Sequence, residues 1–147
     1  MKYNLYNSNC LDYILSPEYI QLKSRVIIVT DPPFNVGYHY NEYKDSMPEE
    51  EYYSMLKTLF SDIPFVCIHY EEELVSLALY LGEAPKKIVS WVYNSNTAKQ
   101  HRGIGFWRVS PNFKQMLQPY KNPQDKRIKE RIEKGIGGGA FIRLVEY

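Results

Sequence analysis

The firmest pattern along the chain is an unbroken β-branched run at residues 25–30 (RVIIVT), which stops abruptly at Asp31-Pro32-Pro33. With no polar alternation, it reads as a strand buried on both faces of a parallel sheet. Ser46-x-x-Glu49 then has capping-box spacing with Pro48 inside it, and Tyr52, Leu56, Leu59 and Phe60 repeat at helical intervals. A helix over about residues 47–61 follows. Residues 64–70 (PFVCIHY) form a second apolar strand, residues 71–81 a second helix with an acidic first turn and Gly82 at its end, and residues 87–93 (KIVSWVY) a third strand. This order is that of an alternating α/β unit with right-handed crossovers.

The flanks are less regular. Residues 2–6 alternate weakly as a short strand, and a brief helix over 10–15 is limited by Pro17. Residues 94–121 mix Asn, Gly, Pro and basic residues with Phe106, Trp107, Phe113 and Tyr120, the composition of a long irregular surface segment. Asn122-Pro123 opens a basic helix carrying Ile128 and Ile132, which Gly135 stops. The expected fold class is α/β: a mostly parallel sheet with helices on its faces, over residues 1–98, then a basic irregular carboxyl-terminal segment, 99–147.

Composition narrows the function classes. The 147 residues, 44% hydrophobic and 24% charged, are enough for one core without staples. Cys10 and Cys67 form no C-x-x-C pair, so neither a disulfide framework nor a zinc site is expected, and a reducing, cytoplasmic setting with both thiols packed inside fits. His39, His69 and His101 share no metal-ligand spacing, and no metal is assigned. The opening MKYNLYNSN lacks an apolar signal core and no apolar run nears the roughly 18 residues needed to span a bilayer, which argues against a membrane role.

The net charge of +1 hides a division. Residues 1–85 hold 5 Lys or Arg against 13 Asp or Glu, whereas residues 86–147 hold 13 against 4. A basic half suits a polyanion, and it suits equally the attraction of two oppositely charged halves. Lys99, Arg102, Arg108, Lys114, Lys121, Lys126 and Arg127 interleave with aromatics, as phosphate contacts and base stacking require. A solvated helix face is the plainer reading for the helical part, where Asp125, Glu130 and Glu133 can pair with neighbouring bases.

Candidate chemistry centres on Asp31, Pro32, Pro33 and Phe34. In open α/β sheets ligands bind just beyond the carboxyl ends of strands. Two prolines stiffen the loop and lack amide hydrogens, so their carbonyls can face a ligand. A carboxylate and a proline carbonyl suit an exocyclic amino group with its two hydrogens, and an aromatic face suits the planar base that bears it. A Pro-Pro turn with an aspartate cap is the structural alternative.

The run at residues 29–37 (VTDPPFNVG) resembles the catalytic motif of DNA methyltransferases that modify adenine N6 or cytosine N4, in which D/N/S-P-P-Y/F-N follows a strand. Asn9-Cys-Leu-Asp12, the helix at residues 52–60 and the KIVSWVYNSN run at 87–96 are similar to weaker elements of that family. The resemblance implies a partial Rossmann-like methyltransferase sheet. It further implies that Asp31 and the Pro32 carbonyl hold the target amino group, that Phe34 stacks on a base flipped out of double-stranded DNA, and that methyl transfer from S-adenosylmethionine is a direct displacement. Aspartate at the first motif position accompanies adenine more often than cytosine. The basic segment occupies the place of target recognition, and Tyr38, Tyr40 and Tyr43 either flank the base or pack on one another.

Two departures accompany the resemblance. Phe34 stands for the commoner tyrosine, and no glycine-rich turn for S-adenosylmethionine is recognisable. The glycines of residues 135–139 follow a helix and precede a strand-like FIRLVEY, the reverse of a cofactor loop. The chain is therefore expected to be an incomplete form, bound tightly by no methyl donor when alone, that self-associates or seeks a complementary chain. A non-catalytic DNA-binding or interaction remnant of such an enzyme is the alternative, and a protein or RNA methyltransferase a third.

Overall fold

The structure, a computed structural model, describes residues 3–41, 43–92, 101–112 and 124–134. Three strands lie where the apolar runs predict them: β1 (Ile28–Thr30), β2 (Phe65–His69) and β3 (Lys87–Val92). A fourth, β4 (His101–Trp107), occupies the segment expected to be irregular. The sheet order is β1-β2-β4-β3; β1 pairs with β2 in parallel, and β4 pairs with both β2 and β3 antiparallel. The result is a mixed α/β unit whose four-stranded sheet is mostly antiparallel, a correction to the mostly parallel sheet expected. Its cause is β4, which slots between β2 and β3 and runs against both, so that β1, β2 and β3 still share one direction.

Two glycines make that insertion possible. A Cβ on Gly103 would lie 2.4 Å from Leu74 Cδ1, and one on Gly105 would lie 2.3 Å from the Trp107 ring. Bare backbone at both positions lets a helix and an indole press directly onto the strand. Alternate residues Phe65, Cys67 and His69 of β2, with Gly103, Gly105 and Trp107 of β4, share this buried face.

Helices α3 (Glu49–Phe60) and α4 (Glu71–Leu81) cover that face through Tyr52, Tyr53, Leu56, Phe60, Leu74 and Leu77. Phe60, Phe65 and Trp107 stack in series, with centroids 3.8 and 4.8 Å apart. α4 ends as predicted, at Gly82 with φ +69°. α3 starts later than predicted and without a side-chain cap. Asn35 binds both the N–H and the carbonyl of Met47, which keeps that residue out of the first turn.

β1 departs from expectation in burial. Val29 is 70% exposed, so this three-residue edge strand is covered on one face rather than two. Before it come α1 (Cys10–Tyr13), α2 (Pro17–Leu22) and a 3₁₀ turn at Lys23–Arg25, while the described part of the predicted 2–6 strand is not regular structure. Contacts divide the chain into two units, Met1–Ser110 and Pro111–Tyr147. β4 thus belongs with the sheet, although its residues fall in the segment grouped from 99 onward as basic. The second unit contains α5 (Lys126–Glu133), the basic helix foreseen after Pro123. The glycines at 135–139 and the FIRLVEY segment lie outside the described residues. No helix among the described residues is long and apolar enough to cross a membrane.

Candidate functional site

Beyond the carboxyl end of β1 the chain forms a loop braced from below. Asp45, 3% exposed, accepts three backbone amides: Asn35 N–H at 2.8 Å, Val36 N–H at 3.1 Å and Tyr38 N–H at 3.0 Å. Three donors compensate the cost of burying that carboxylate. Asn35 takes φ +57°, a conformation asparagine tolerates better than most residues, and from there its amide side chain clamps Met47 at 2.6 and 2.9 Å. The residue after Phe34 is therefore the loop's fastener.

Pro32 is buried and Pro33 half-buried. The Pro33 carbonyl accepts the Tyr52 hydroxyl at 2.7 Å, and Tyr52 also meets His69 Nε2 at 2.9 Å. His69 Nδ1 in turn accepts the Tyr70 backbone N–H at 2.9 Å. Nδ1 therefore carries no proton, so the neutral ring donates from Nε2 to Tyr52, which donates to Pro33. Burial raises the Tyr52 pKa, keeping it a hydroxyl. This relay fixes the loop's height above β2, and it commits the Pro33 carbonyl to structure, leaving to Asp31 and Pro32 the acceptor roles the sequence assigned.

Asp31 and Phe34 meet at one place. The Phe34 ring stacks on His69 with centroids 4.4 Å apart, and meets Tyr70 edge-on at 4.9 Å. Over it lies the Arg102 guanidinium, 4.5 Å from the Phe34 centroid, 5.8 Å from that of Tyr70 and 3.7 Å from Asp31 Oδ2. Partial burial lifts the Asp31 pKa above its usual range, and the Arg102 charge opposes the shift. Beside Phe34 a polar cavity of about 280 Å³ is walled by Asn35, Glu49, Tyr53 and Glu73, with the Tyr53 hydroxyl donating to Glu73.

The basic residues proposed from sequence fare differently. Arg102 lies against Asp31 and Phe34. Arg108, with φ +57°, is engaged by Glu83 at 2.8 Å and by the carbonyls of Phe60, Ser61 and Ile63. Lys126 and Arg127 are exposed on α5 in the second unit, Arg127 lying 3.5 Å from Asp125. Lys99, Lys114 and Lys121 lie outside the described residues. Tyr38, Tyr40 and Tyr43 pack on one another, with centroids 4.9 and 5.8 Å apart, around a cavity of about 420 Å³.

Cys67 is buried beside Thr30, and burial first, then the Asp31 charge, pushes its pKa up to about 12. It is an inert thiol at neutral pH. Cys10 is exposed, which corrects the packed position expected of it. His39 joins a β-bridge with Lys44 and His101 pairs with Glu71; no cluster of three metal-ligating side chains occurs among the described residues.

Sequence reasoning missed Tyr52, His69, Tyr70 and Asp45. Tyr52 was read only as core, and His69 only as a lone histidine. The one local signal was Asn35, an αL-tolerant residue directly after Phe34. Nor does the junction of β2 with α4 suit S-adenosylmethionine. β2 passes through Tyr70 directly into α4, whose first turn is Glu71, Glu72 and Glu73, with no glycine and with charges that repel a carboxylate. Comparison with protein families, with characterised proteins and with solved structures gives no match to this chain.

Proposed function

We propose that this chain holds the target base for a DNA amino-methyltransferase, acting on adenine N6, with Asp31 and the Pro32 carbonyl gripping the amino group and Phe34 stacking on the flipped base. One observation carries the reading: Asp31 and Phe34 converge on a single planar, N–H-bearing group, the Arg102 guanidinium. A carboxylate beside an aromatic face, at the carboxyl end of a strand, is the recognition chemistry an exocyclic amine requires. The common direction of β1, β2 and β3 agrees with one half of a Rossmann-like methyltransferase sheet. Double-stranded DNA is the partner, and the methyl donor, S-adenosylmethionine, is held by residues other than those described, in this chain or a complementary one.

Asp31 serves ligand rather than fold, being half-exposed at the cleft while Asp45 and Tyr52 secure the loop. In an assembly that methylates DNA, Asp31→Ala is expected to remove nearly all turnover and leave the melting temperature within a few degrees. Unchanged turnover would sink the catalytic reading. A collapsed fold would identify Asp31 as a turn cap.

A further inference from the structure

We infer that the outer edge of β3 is an interface for a second copy of this chain, whose own β3 pairs with it antiparallel about a two-fold axis through Ser90. Sheet edges present unpaired backbone N–H and C=O groups, and an edge without a device against pairing is a template for another strand. The two edges of this sheet differ. β1 is three residues long, whereas β3 keeps an unbroken register with β4 from Lys87 to Val92, with no bulge and no proline. Its only charge, Lys87, stands at its first position. Among the described residues no strand lies on its outer side, and Ile88, Trp91 and Val92 are 45%, 47% and 42% exposed.

The strand complements itself. Ile88, Ser90 and Val92 point to the face that the helices cover, as their partners Gly105 and Gly103 show, and Val89 and Trp91 point to the other. Residues directly opposite in an antiparallel pair share a face, so only registers that join like faces are open. Centred on Ser90, the pairing sets Ile88 against Val92 and Val89 against Trp91 of the second copy, twice each, the β-branched and aromatic pairs that stabilise a sheet. Centred on Val89 it would set Lys87 against Trp91 and Ile88 against Ser90; centred on Trp91 it would set Ser90 against Val92. Only the Ser90 register keeps these four apolar residues off polar ones. Nor do like charges meet in it, since the two Lys87 residues stand about 20 Å apart along the strands, beyond a screening length of about 8 Å. An axis normal to the sheet also keeps the helices of both copies on one face. α4 is the helix nearer this edge, with Leu74 lying over Gly103 beside Ile88, and its exposed Val75 lies on the flank away from the Glu73 and Tyr80 contacts with α3. The same pairing turns the two Val75 flanks toward each other.

Analytical ultracentrifugation of the full chain tests this, with Trp91→Lys as the edge-blocking variant. The expected result is a concentration-dependent dimer whose dissociation constant Trp91→Lys raises about tenfold or more, since both copies of the Val89–Trp91 pair are lost together. Crosslinking fixes the register and carries the test should that variant fold poorly. In a Cys10→Ser background, which removes the exposed native thiol, Ser90→Cys is expected to give a disulfide dimer on mild oxidation, because residues directly opposite fall within disulfide reach. Ile88→Cys, four positions from its own image, is expected to stay unlinked. A wild-type monomer overturns the inference. So does a dimer that folded Trp91→Lys leaves unweakened, that Ser90→Cys fails to link, or that Ile88→Cys links equally well. The base-holding reading of Asp31 and Phe34 depends on none of these results.

Discussion

At the amino end of β2, Arg108 lies 5.9 Å from the Phe65 centroid; at the carboxyl end, Arg102 lies 4.5 Å from that of Phe34. Each arginine also faces a carboxylate, Glu83 for Arg108 and Asp31 for Arg102. The attachments differ. Arg108 reaches Glu83 at 2.8 Å and three backbone carbonyls that end α3 and lead into β2, and its own backbone stands at φ +57°. Arg102 keeps an ordinary strand conformation and stands 3.7 Å from its carboxylate. The same pairing of residue types is thus joined to backbone carbonyls at one end of the sheet and set against an aromatic ring and a longer ion pair at the other.

The largest expected effect removes the carbonyl-bound guanidinium. Arg108→Ala strands the carbonyls that close α3 and leaves Glu83 without its partner, a loss of about 3 kcal/mol. Arg102→Ala removes the cation–π contact with Phe34 and the partly exposed pair with Asp31, together about 1 kcal/mol, and is expected to cost less than Arg108→Ala. Urea denaturation of the two variants checks the contrast directly. Equal losses would mean that Arg102 is structural too, and that the two ends do not differ in kind.

A smaller effect concerns what holds the loop at the open end. Asp45→Ala releases the part-buried amides of Asn35, Val36 and Tyr38, at a cost of about 2 kcal/mol. Hydrogen exchange sharpens the point. The three amides are expected to lose protection in Asp45→Ala and to keep it in Arg102→Ala. Loss in both variants would show that Arg102 braces the loop as well.

These contrasts also mark what was legible in the sequence. β1, β2, α3, α4 and β3 were readable because each is a local apolar period, and the Asp31–Phe34 loop because it is contiguous. β4 was hidden by Gly103 and Gly105, which read as irregular chain yet are required by Leu74 and Trp107, contacts that exist only after folding. The late start of α3 was hidden likewise, since Asn35 acts on Met47 across twelve positions. In the site, Asp31 and Phe34 announce themselves, whereas Tyr52, His69 and Arg102 arrive from three other elements, and no spacing links them. Arg102 and Arg108 look alike as basic residues in a basic half; only the register of β4 sends one to each end of the sheet.

The smallest expected effect is a titration. Asp31 has its folded pKa raised by partial burial and held back by Arg102. A carboxyl with a raised folded pKa favours the fold most when protonated; its ionisation detracts from stability as pH climbs from the unfolded value through the folded one. Removing Arg102 removes the opposing charge, so in Arg102→Ala the Asp31 midpoint should move further up, and the small loss of stability attached to it should extend to higher pH. The Asp31 side-chain carbon resonance, followed by NMR from acid to neutral pH in both proteins, gives the midpoint directly. Arg108→Ala, at the far end of the sheet, should leave that midpoint where it is. A midpoint unmoved by loss of Arg102 would mean that its guanidinium does not sit at the cleft in solution, and the distinction between the two arginines would then rest on Arg108 alone.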